Sequence, residues 1–153
     1  MKVFRALINE HPFFHGMKPE HLELVVKAAR EVKFAADDVI FREGDCAGDF
    51  FLLETGKVVL DAHAPGREAV AIQTLGPADA LGWSWLFPPF VWHFGARALE
   101  PTTAICFDGA RLLIACERNS ALGYDLMKRV ARVMMQRLQA TRLQLLDVYG
   151  THP

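Results

Sequence analysis

The chain has 153 residues, of which 52% are hydrophobic and 23% are charged, and its formal net charge at pH 7 is −1. This length suits one domain with a substantial core, and this composition excludes a disordered chain. The near-zero charge gives no general field that would attract nucleic acid or an anionic membrane. The first residues lack the apolar segment of a secretion signal, and no apolar run is long enough to cross a membrane. We therefore expect a cytoplasmic protein.

The first thirty residues predict two helices. Phe4, Leu7 and Ile8 share one helical face, and Pro19 suits the first turn of a second helix. Residues 31–107 have a different pattern, in which short apolar runs such as Phe50–Leu53 alternate with compact turns. Many short strands at this spacing indicate an all-β sandwich or barrel of jelly-roll type. We expect one mainly β domain over 1–153, with N-terminal helices in 1–30, a jelly-roll β-barrel in 31–107 and C-terminal helices in 108–149.

The stretch 82–98 contains all three tryptophans of the chain, Trp83, Trp85 and Trp92. Pro88 and Pro89 interrupt it, so it suits neither a single helix nor a single strand. We expect a turn, a short helical piece and a loop. This aromatic stretch is the candidate recognition site of the protein.

Two helices are predicted to close the chain. Asp108 can cap a short helix that ends near Glu117, and Asn119 or Ser120 can cap a long final helix that ends near Val148.

The final helix carries two apolar stripes. Residues spaced alternately four and three apart form a seam of the coiled-coil kind, namely Met127, Ala131, Met134, Leu138, Thr141, Leu145 and Val148. The second stripe comprises Leu126, Val130 and Val133. One stripe can pack on the β-domain while the seam meets a partner helix, so we expect a homodimer. The alternative is a single broad face buried in the chain's own core.

Several segments, in order along the chain, resemble the cyclic-nucleotide-binding domain of the CRP/FNR type. They are Phe13–Leu22, Val39–Asp45, Phe50–Val58 and Leu75–Gly82. The resemblance implies a jelly roll flanked by helices, with a long C-terminal helix that pairs in a dimer. In the transcription factors of that family a winged helix-turn-helix follows this helix, whereas this sequence ends at Pro153. We therefore expect a stand-alone sensor domain, with a shortened piece of a longer regulator as the alternative, and in either case we expect that the residues present do not themselves bind DNA.

The resemblance also places the family's phosphate-binding cassette on the aromatic stretch. Gly82 is retained, but Trp83 stands where the family has a glutamate that accepts a hydrogen bond from the ribose. Trp92 or His93 falls where the family has its phosphate-binding arginine. Arg97 aligns with an ordinary strand arginine, although a one-gap shift would bring it to the phosphate. The candidate ligand-binding residues are Gly82, Trp83, Ser84, Trp85, Trp92, His93 and Arg97.

This chemistry predicts a regulatory domain whose usual ligand has changed. A buried phosphate without a cation is strongly disfavoured. We expect instead an aromatic pocket that binds a planar or apolar effector by stacking on tryptophan. Two alternatives stay open. One is a signalling domain that binds cAMP or cGMP, and the other is a ligand-free dimeric interaction module whose pocket is filled by its own tryptophans.

No catalytic constellation is recognisable in the sequence. It has no His-x-His motif, no nucleophile elbow and no evident pair of catalytic carboxylates. The histidines at 11, 15 and 21 lack the spacing of a metal site, and we expect surface or capping roles for them. The only candidate heme ligands, His63, His93 and Cys46, are more simply loop or surface residues. We therefore expect no catalysis, no metal and no cofactor, and we expect the three cysteines to be free thiols.

Overall fold

The computed structural model describes residues 2–63, 65–66 and 68–150. The chain opens with helix α1 (Lys2–Glu10), a 3₁₀ turn (Pro12–Phe14) and helix α2 (Pro19–Val26). A proline lies in the first turn of both the 3₁₀ turn and α2, where a backbone N–H is not needed for helical hydrogen bonds. Both predicted N-terminal helices are therefore confirmed; the side chain of Phe4 lies outside the described residues.

Eight strands follow and form two four-stranded antiparallel sheets. The strands are β1 (Ala29–Phe34), β2 (Val39–Phe41), β3 (Asp49–Thr55), β4 (Val58–His63), β5 (Ala69–Leu75), β6 (Ala80–Leu81), β7 (Gly95–Ala98) and β8 (Thr102–Asp108). The first sheet has the order β1-β8-β3-β6 and the second has the order β2-β7-β4-β5. The predicted mainly β fold with flanking helices is confirmed. The sheets do not close into a barrel, because no strand of one sheet pairs with a strand of the other among the described residues.

The first sheet is buried on both faces. Side chains alternate along a strand, so Phe50 and Leu52 of β3 face the helices while Phe51 and Leu53 face the second sheet. We call the first group the helix-side core; it includes Ile8, Phe14, Val25, Trp85, Phe107, Leu122, Leu126 and Val130. We call the second group the inter-sheet core; it includes Phe41, Leu60, Leu75, Leu81, Trp92, Ala96 and Cys106.

Two helices end the described chain, α3 (Gly109–Arg118) and α4 (Ser120–Gly150). The Asp108 carboxylate accepts a hydrogen bond from the Arg111 N–H at 3.2 Å. The Asn119 side-chain oxygen accepts one from the Leu122 N–H at 3.1 Å. Both predicted caps are confirmed, and each satisfies an N–H group that the first helical turn leaves unpaired.

Helix α4 is buried along its first half only. Leu126 and Val130 belong to the helix-side core, and Val133 packs against it, as the second stripe predicted. Of the predicted seam, Met127 is half-buried, while Ala131, Met134, Leu138, Thr141 and Leu145 are exposed in the single chain. The partner of this seam remains a prediction. Among the described residues, no helix combines the length and the apolarity needed to cross a membrane.

Candidate functional site

Backbone hydrogen bonds connect the aromatic stretch to the loop that follows β2. Gly44 donates its N–H to the Trp92 carbonyl at 2.8 Å, and Trp92 donates to the Asp45 carbonyl at 2.9 Å. Ala47 donates to the Phe90 carbonyl at 2.7 Å. The stretch contains a 3₁₀ turn (Ser84–Leu86) and a loop before β7, so the predicted turn, short helical piece and loop are confirmed.

Trp92 lies inside the protein. Its side chain is only 4% exposed and belongs to the inter-sheet core. The indole stacks on the ring of Phe41, with a centroid separation of 3.8 Å and an interplanar angle of 9°. Close parallel stacking of this kind is how a protein would hold a planar ligand, and here both partners come from the chain itself.

Gly82 permits this arrangement because it has no side chain. Its φ is +88°, a conformation that glycine adopts at little cost. A Cβ placed on it would lie 2.7 Å from Cζ3 of Trp92, which is closer than real contacts allow. The backbone at the start of the cassette therefore packs directly against the edge of the indole.

Trp85 packs in the helix-side core. It is 2% exposed, and its ring centroid lies 5.8 Å from that of Phe50. Its indole N–H donates to the Gly82 carbonyl at 2.9 Å, so its one polar group is satisfied. Ser84, which precedes it, is also buried. Trp85 thus anchors the 3₁₀ turn to the helix-side core.

Trp83 is half-buried and contacts the long helix. Its ring meets Phe94 edge-on at 6.2 Å, and the Arg137 guanidinium carbon lies 5.1 Å from the centre of the Trp83 ring. Arg137 also donates a hydrogen bond to the Ala80 carbonyl. Burial lowers the pKa of Arg137 to about 10, and the nearby Asp79 carboxylate opposes that shift. The guanidinium therefore stays charged at neutral pH and links α4 to Ala80 of β6 and to Trp83.

Arg137 was not among the candidate site residues predicted from the sequence. Its position follows Val130 by seven residues and Val133 by four, which continues the stripe that packs on the domain. That spacing is the signal that could have found it.

Arg97 and His93 lie away from the buried tryptophans. Ala96 belongs to the inter-sheet core, so Arg97, its neighbour on β7, points to the opposite face of the sheet. There its guanidinium lies 3.3 Å from the Asp37 carboxylate. His93 is exposed in the loop before β7. Gly82 thus contacts Trp92, and Trp92 stacks on Phe41. Trp83, Trp85 and Arg97 lie in three different surroundings.

Other candidate ligands are dispersed. In the part of the chain that the structure describes, no three His, Cys, Asp or Glu side chains gather in a way that could hold a metal ion. Cys46 is exposed and Cys106 is buried, and all three cysteines are free. Burial raises the pKa of the Cys106 thiol to about 12, which keeps it protonated and unreactive.

Two antiparallel sheets with a glycine-led turn before β7 and a long C-terminal helix define a regulatory-type domain of jelly-roll architecture. The chain belongs to the cyclic nucleotide-binding domain family, whose model matches residues 31–119.

The relatives of the chain include transcriptional regulators. The CRP-like cAMP-activated global transcriptional regulator of Mycobacterium tuberculosis is 24% identical over 140 residues, which is 90% of this chain and 60% of that protein. The chain thus spans about 60% of the length of this curated relative.

The solved structures that are similar to this one include two with at least 25% sequence identity. A putative cyclic nucleotide-binding protein from Geobacter metallireducens has a TM-score of 0.76 and 30% identity, covering 90% of this chain and 96% of that one. The catabolite activator protein of Thermus thermophilus has a TM-score of 0.69 and 25% identity, covering 91% of this chain and 63% of that one.

Proposed function

We propose that this chain is a non-catalytic regulatory domain whose cassette recognises a planar, largely apolar effector in place of a cyclic nucleotide. One observation carries the proposal, namely the stacking of Trp92 on Phe41 between the two sheets, with the ring centroids 3.8 Å apart. An aromatic slot that holds an indole is shaped for another flat ring of similar size.

The residues of the cassette do not fit a cyclic phosphate. Trp83, which follows the cassette glycine, has no acceptor for a ribose hydroxyl and contacts Arg137. Arg97 points away from the inter-sheet core and pairs with Asp37. A phosphate placed beside Gly82 would therefore lose its hydration without gaining a cation from Arg97.

An effector would take the place of Trp92 against Phe41. The indole is held by stacking and by the loop hydrogen bonds of its own backbone, and its side chain carries no charge that must be re-paired. Gly82 would then contact the effector instead of the indole edge. Such an exchange would move the turn that carries Trp83 and, through Arg137, helix α4.

A second candidate is a ligand-free dimeric interaction module. The burial of Trp92, at 4% exposed, favours it, because the slot is already filled. In this reading α4 pairs with a second copy through its exposed seam, and the tryptophans serve only as core.

Thermal shift and tryptophan fluorescence separate these functions. The purified chain is titrated with cAMP, cGMP and a panel of planar aromatic metabolites. A saturable fluorescence change with a raised melting temperature supports a sensor, since a ligand of the native state stabilises it by mass action. Silence across the panel supports the interaction module.

The Arg97→Ala variant tests cyclic-nucleotide binding separately. If calorimetry detects tight cAMP binding that this substitution abolishes, the cassette assignment above is wrong. If cAMP binds neither the wild type nor the Arg97→Ala variant, the result supports the proposal that the cassette does not recognise a cyclic nucleotide.

A further inference from the structure

A cavity lies outside the inter-sheet core, between α4, the 3₁₀ turn Pro12–Phe14 and the segment that joins β5 to β6. Its volume is about 290 Å³, at the lower end of the range for ligand pockets. Three arginines of α4 line it, Arg129, Arg132 and Arg137, and Asp79 is the acidic residue beside them. The cavity therefore carries an excess of positive charge on a chain whose net charge is −1.

The three arginines differ in how far their donors are already used. Arg129 donates to the carbonyls of Phe13 and His15 at 2.6 and 2.9 Å and pairs with Asp125 at 3.0 Å. It is a structural clamp between α4 and the N-terminal turn.

Arg137 and Arg132 retain free donors. Arg137 bonds the Ala80 carbonyl, but its Nη1 is buried and has no acceptor among the described residues. Arg132 is exposed and makes no hydrogen bond or ion pair with any residue that the structure describes. A buried donor without an acceptor costs stability, so its presence at a cavity wall calls for an acceptor from outside the chain.

Asp79, the acidic residue beside the cavity, does not fully provide the acceptor that the arginines lack. Asp79 is exposed, and its Oδ2 accepts the Gly76 N–H at 2.9 Å. Gln73 and Gln136 add neutral donors to the lining. Guanidinium groups with neighbouring amides match the oxygens of a phosphate better than those of a neutral ligand.

We propose that this arginine cavity binds a phosphate group, held by Arg132, the free nitrogen of Arg137 and the side-chain amide of Gln136. The group belongs either to free phosphate or to a small phosphate monoester. The proposal does not depend on the proposed function, because the cavity lies outside the inter-sheet core that would hold the planar effector. Binding would be reported at Trp83, since the Arg137 guanidinium lies over that ring.

Calorimetry at constant ionic strength tests the proposal with inorganic phosphate and with glycerol 3-phosphate as separate titrants. Saturable binding of the first alone identifies free phosphate as the ligand, and tighter binding of the second identifies a monoester. We expect Arg132→Ala to weaken binding about tenfold or more, the value of a charge-assisted hydrogen bond. Arg142→Ala is the matched control, because Arg142 is exposed on the same helix and does not line the cavity; its effect should stay within about twofold.

Fluorescence adds a readout that general charge screening would not produce. Phosphate should change the emission of the wild-type chain, and Trp83→Phe should abolish that change while leaving the heat of binding in place. Trp92→Ala should leave phosphate binding intact, because Trp92 does not line the arginine cavity. Absence of saturable heat with both titrants, or an equal loss in Arg132→Ala and Arg142→Ala, would overturn the proposal.

Discussion

Trp92 contributes to the stability of the fold whether or not the chain binds a ligand, because its indole fills space between the two sheets. Truncating a buried aromatic residue removes its transfer free energy and leaves a cavity. The stack on Phe41 adds an aromatic contact that truncation also loses.

We therefore expect Trp92→Ala to lower the free energy of unfolding by about 3–5 kcal/mol. Trp92→Phe, which keeps a ring against Phe41, should lose less. Urea denaturation followed by circular dichroism measures both. A Trp92→Ala protein as stable as the wild type would mean that the indole does not occupy the interior in solution.

His11 links the N-terminal helices to the first sheet. Its Nδ1 accepts from the Phe13 N–H at 3.2 Å, and its Nε2 lies 3.3 Å from the Leu53 carbonyl. Both bonds together require a neutral imidazole with its proton on Nε2. The capping role predicted for this histidine is therefore confirmed, whereas His21 is buried and caps no helix of the described chain, so the prediction was wrong for His21.

The buried imidazole predicts a pH-dependent stability. Burial lowers the pKa of His11, while the Leu53 carbonyl and the Asp79 carboxylate act in the opposite direction. A lowered pKa means that the unfolded chain binds the proton more readily. Stability should therefore be constant above the ordinary value of 6.5 and should fall as the pH drops below it, through the lower folded pKa.

Urea denaturation across this pH range measures the effect. His11→Gln should flatten the slope, whereas His15→Gln, an exposed histidine in the same segment, should leave it unchanged. Equal slopes in the wild type and His11→Gln would assign the pH dependence to other groups.

At the scale of elements, α4 has two different halves. Its first half is buried in the helix-side core, whereas Leu138 is 70% exposed and Leu145 is 54% exposed. A helix that exposes a row of large apolar residues is typical of one that pairs with another helix.

We expect Leu138→Glu combined with Leu145→Glu to convert a homodimer into a monomer, because charges in the seam would be buried without partners. Light scattering at tens of micromolar measures the mass. Gln139→Glu with Gln144→Glu introduces the same charge on exposed positions outside the seam and should leave the dimer intact. A monomeric wild type at these concentrations contradicts the seam.

Local signals predicted the elements better than their contacts. Strand patterns and helix caps depend on neighbouring residues, and they identified β3, α3 and α4 correctly. Gly123 shows what local signals miss: a glycine lowers helix propensity, yet a Cβ at this position of α4 would lie 3.1 Å from the Cys116 carbonyl oxygen. It allows α3 and α4 to approach closely, which only the fold reveals.

The candidate site was harder still. The family resemblance predicted the cassette at residues 82–98, but whether a tryptophan of this stretch points inward or outward depends on loop geometry rather than on spacing. Trp83 and Trp85 are two residues apart and lie in different surroundings, one against α4 and one in the helix-side core. The position of Arg97 became clear only from the strand register. Ala96 faces the inter-sheet core, so the side chain of Arg97 lies on the opposite face of the sheet.

At the scale of the whole molecule, the first sheet belongs to both cores. Phe50 and Phe51 are adjacent in β3 yet pack in opposite cores, as do Phe107 and Cys106 in β8. Neither core can be lost while the other keeps its strands, so the domain should unfold as one unit.

Coincident transitions are therefore expected when urea unfolding is followed by tryptophan fluorescence and by circular dichroism. Trp92→Ala, in the inter-sheet core, and Leu126→Ala, in the helix-side core, should each shift the midpoints of both signals equally. A variant that separates the two signals would show that the cores unfold independently.

The contact between Gly82 and the indole edge of Trp92 has a consequence for how any signal would begin. A side chain attached to the same polypeptide has a fixed effective concentration, which does not fall when the cell is depleted of metabolites. If the chain binds the planar effector proposed above, Trp92 would act as a tethered competitor for the place on Phe41. The effector would have to exceed that competition before the protein responds, so the strength of the indole stack would set the effector concentration at which the response begins.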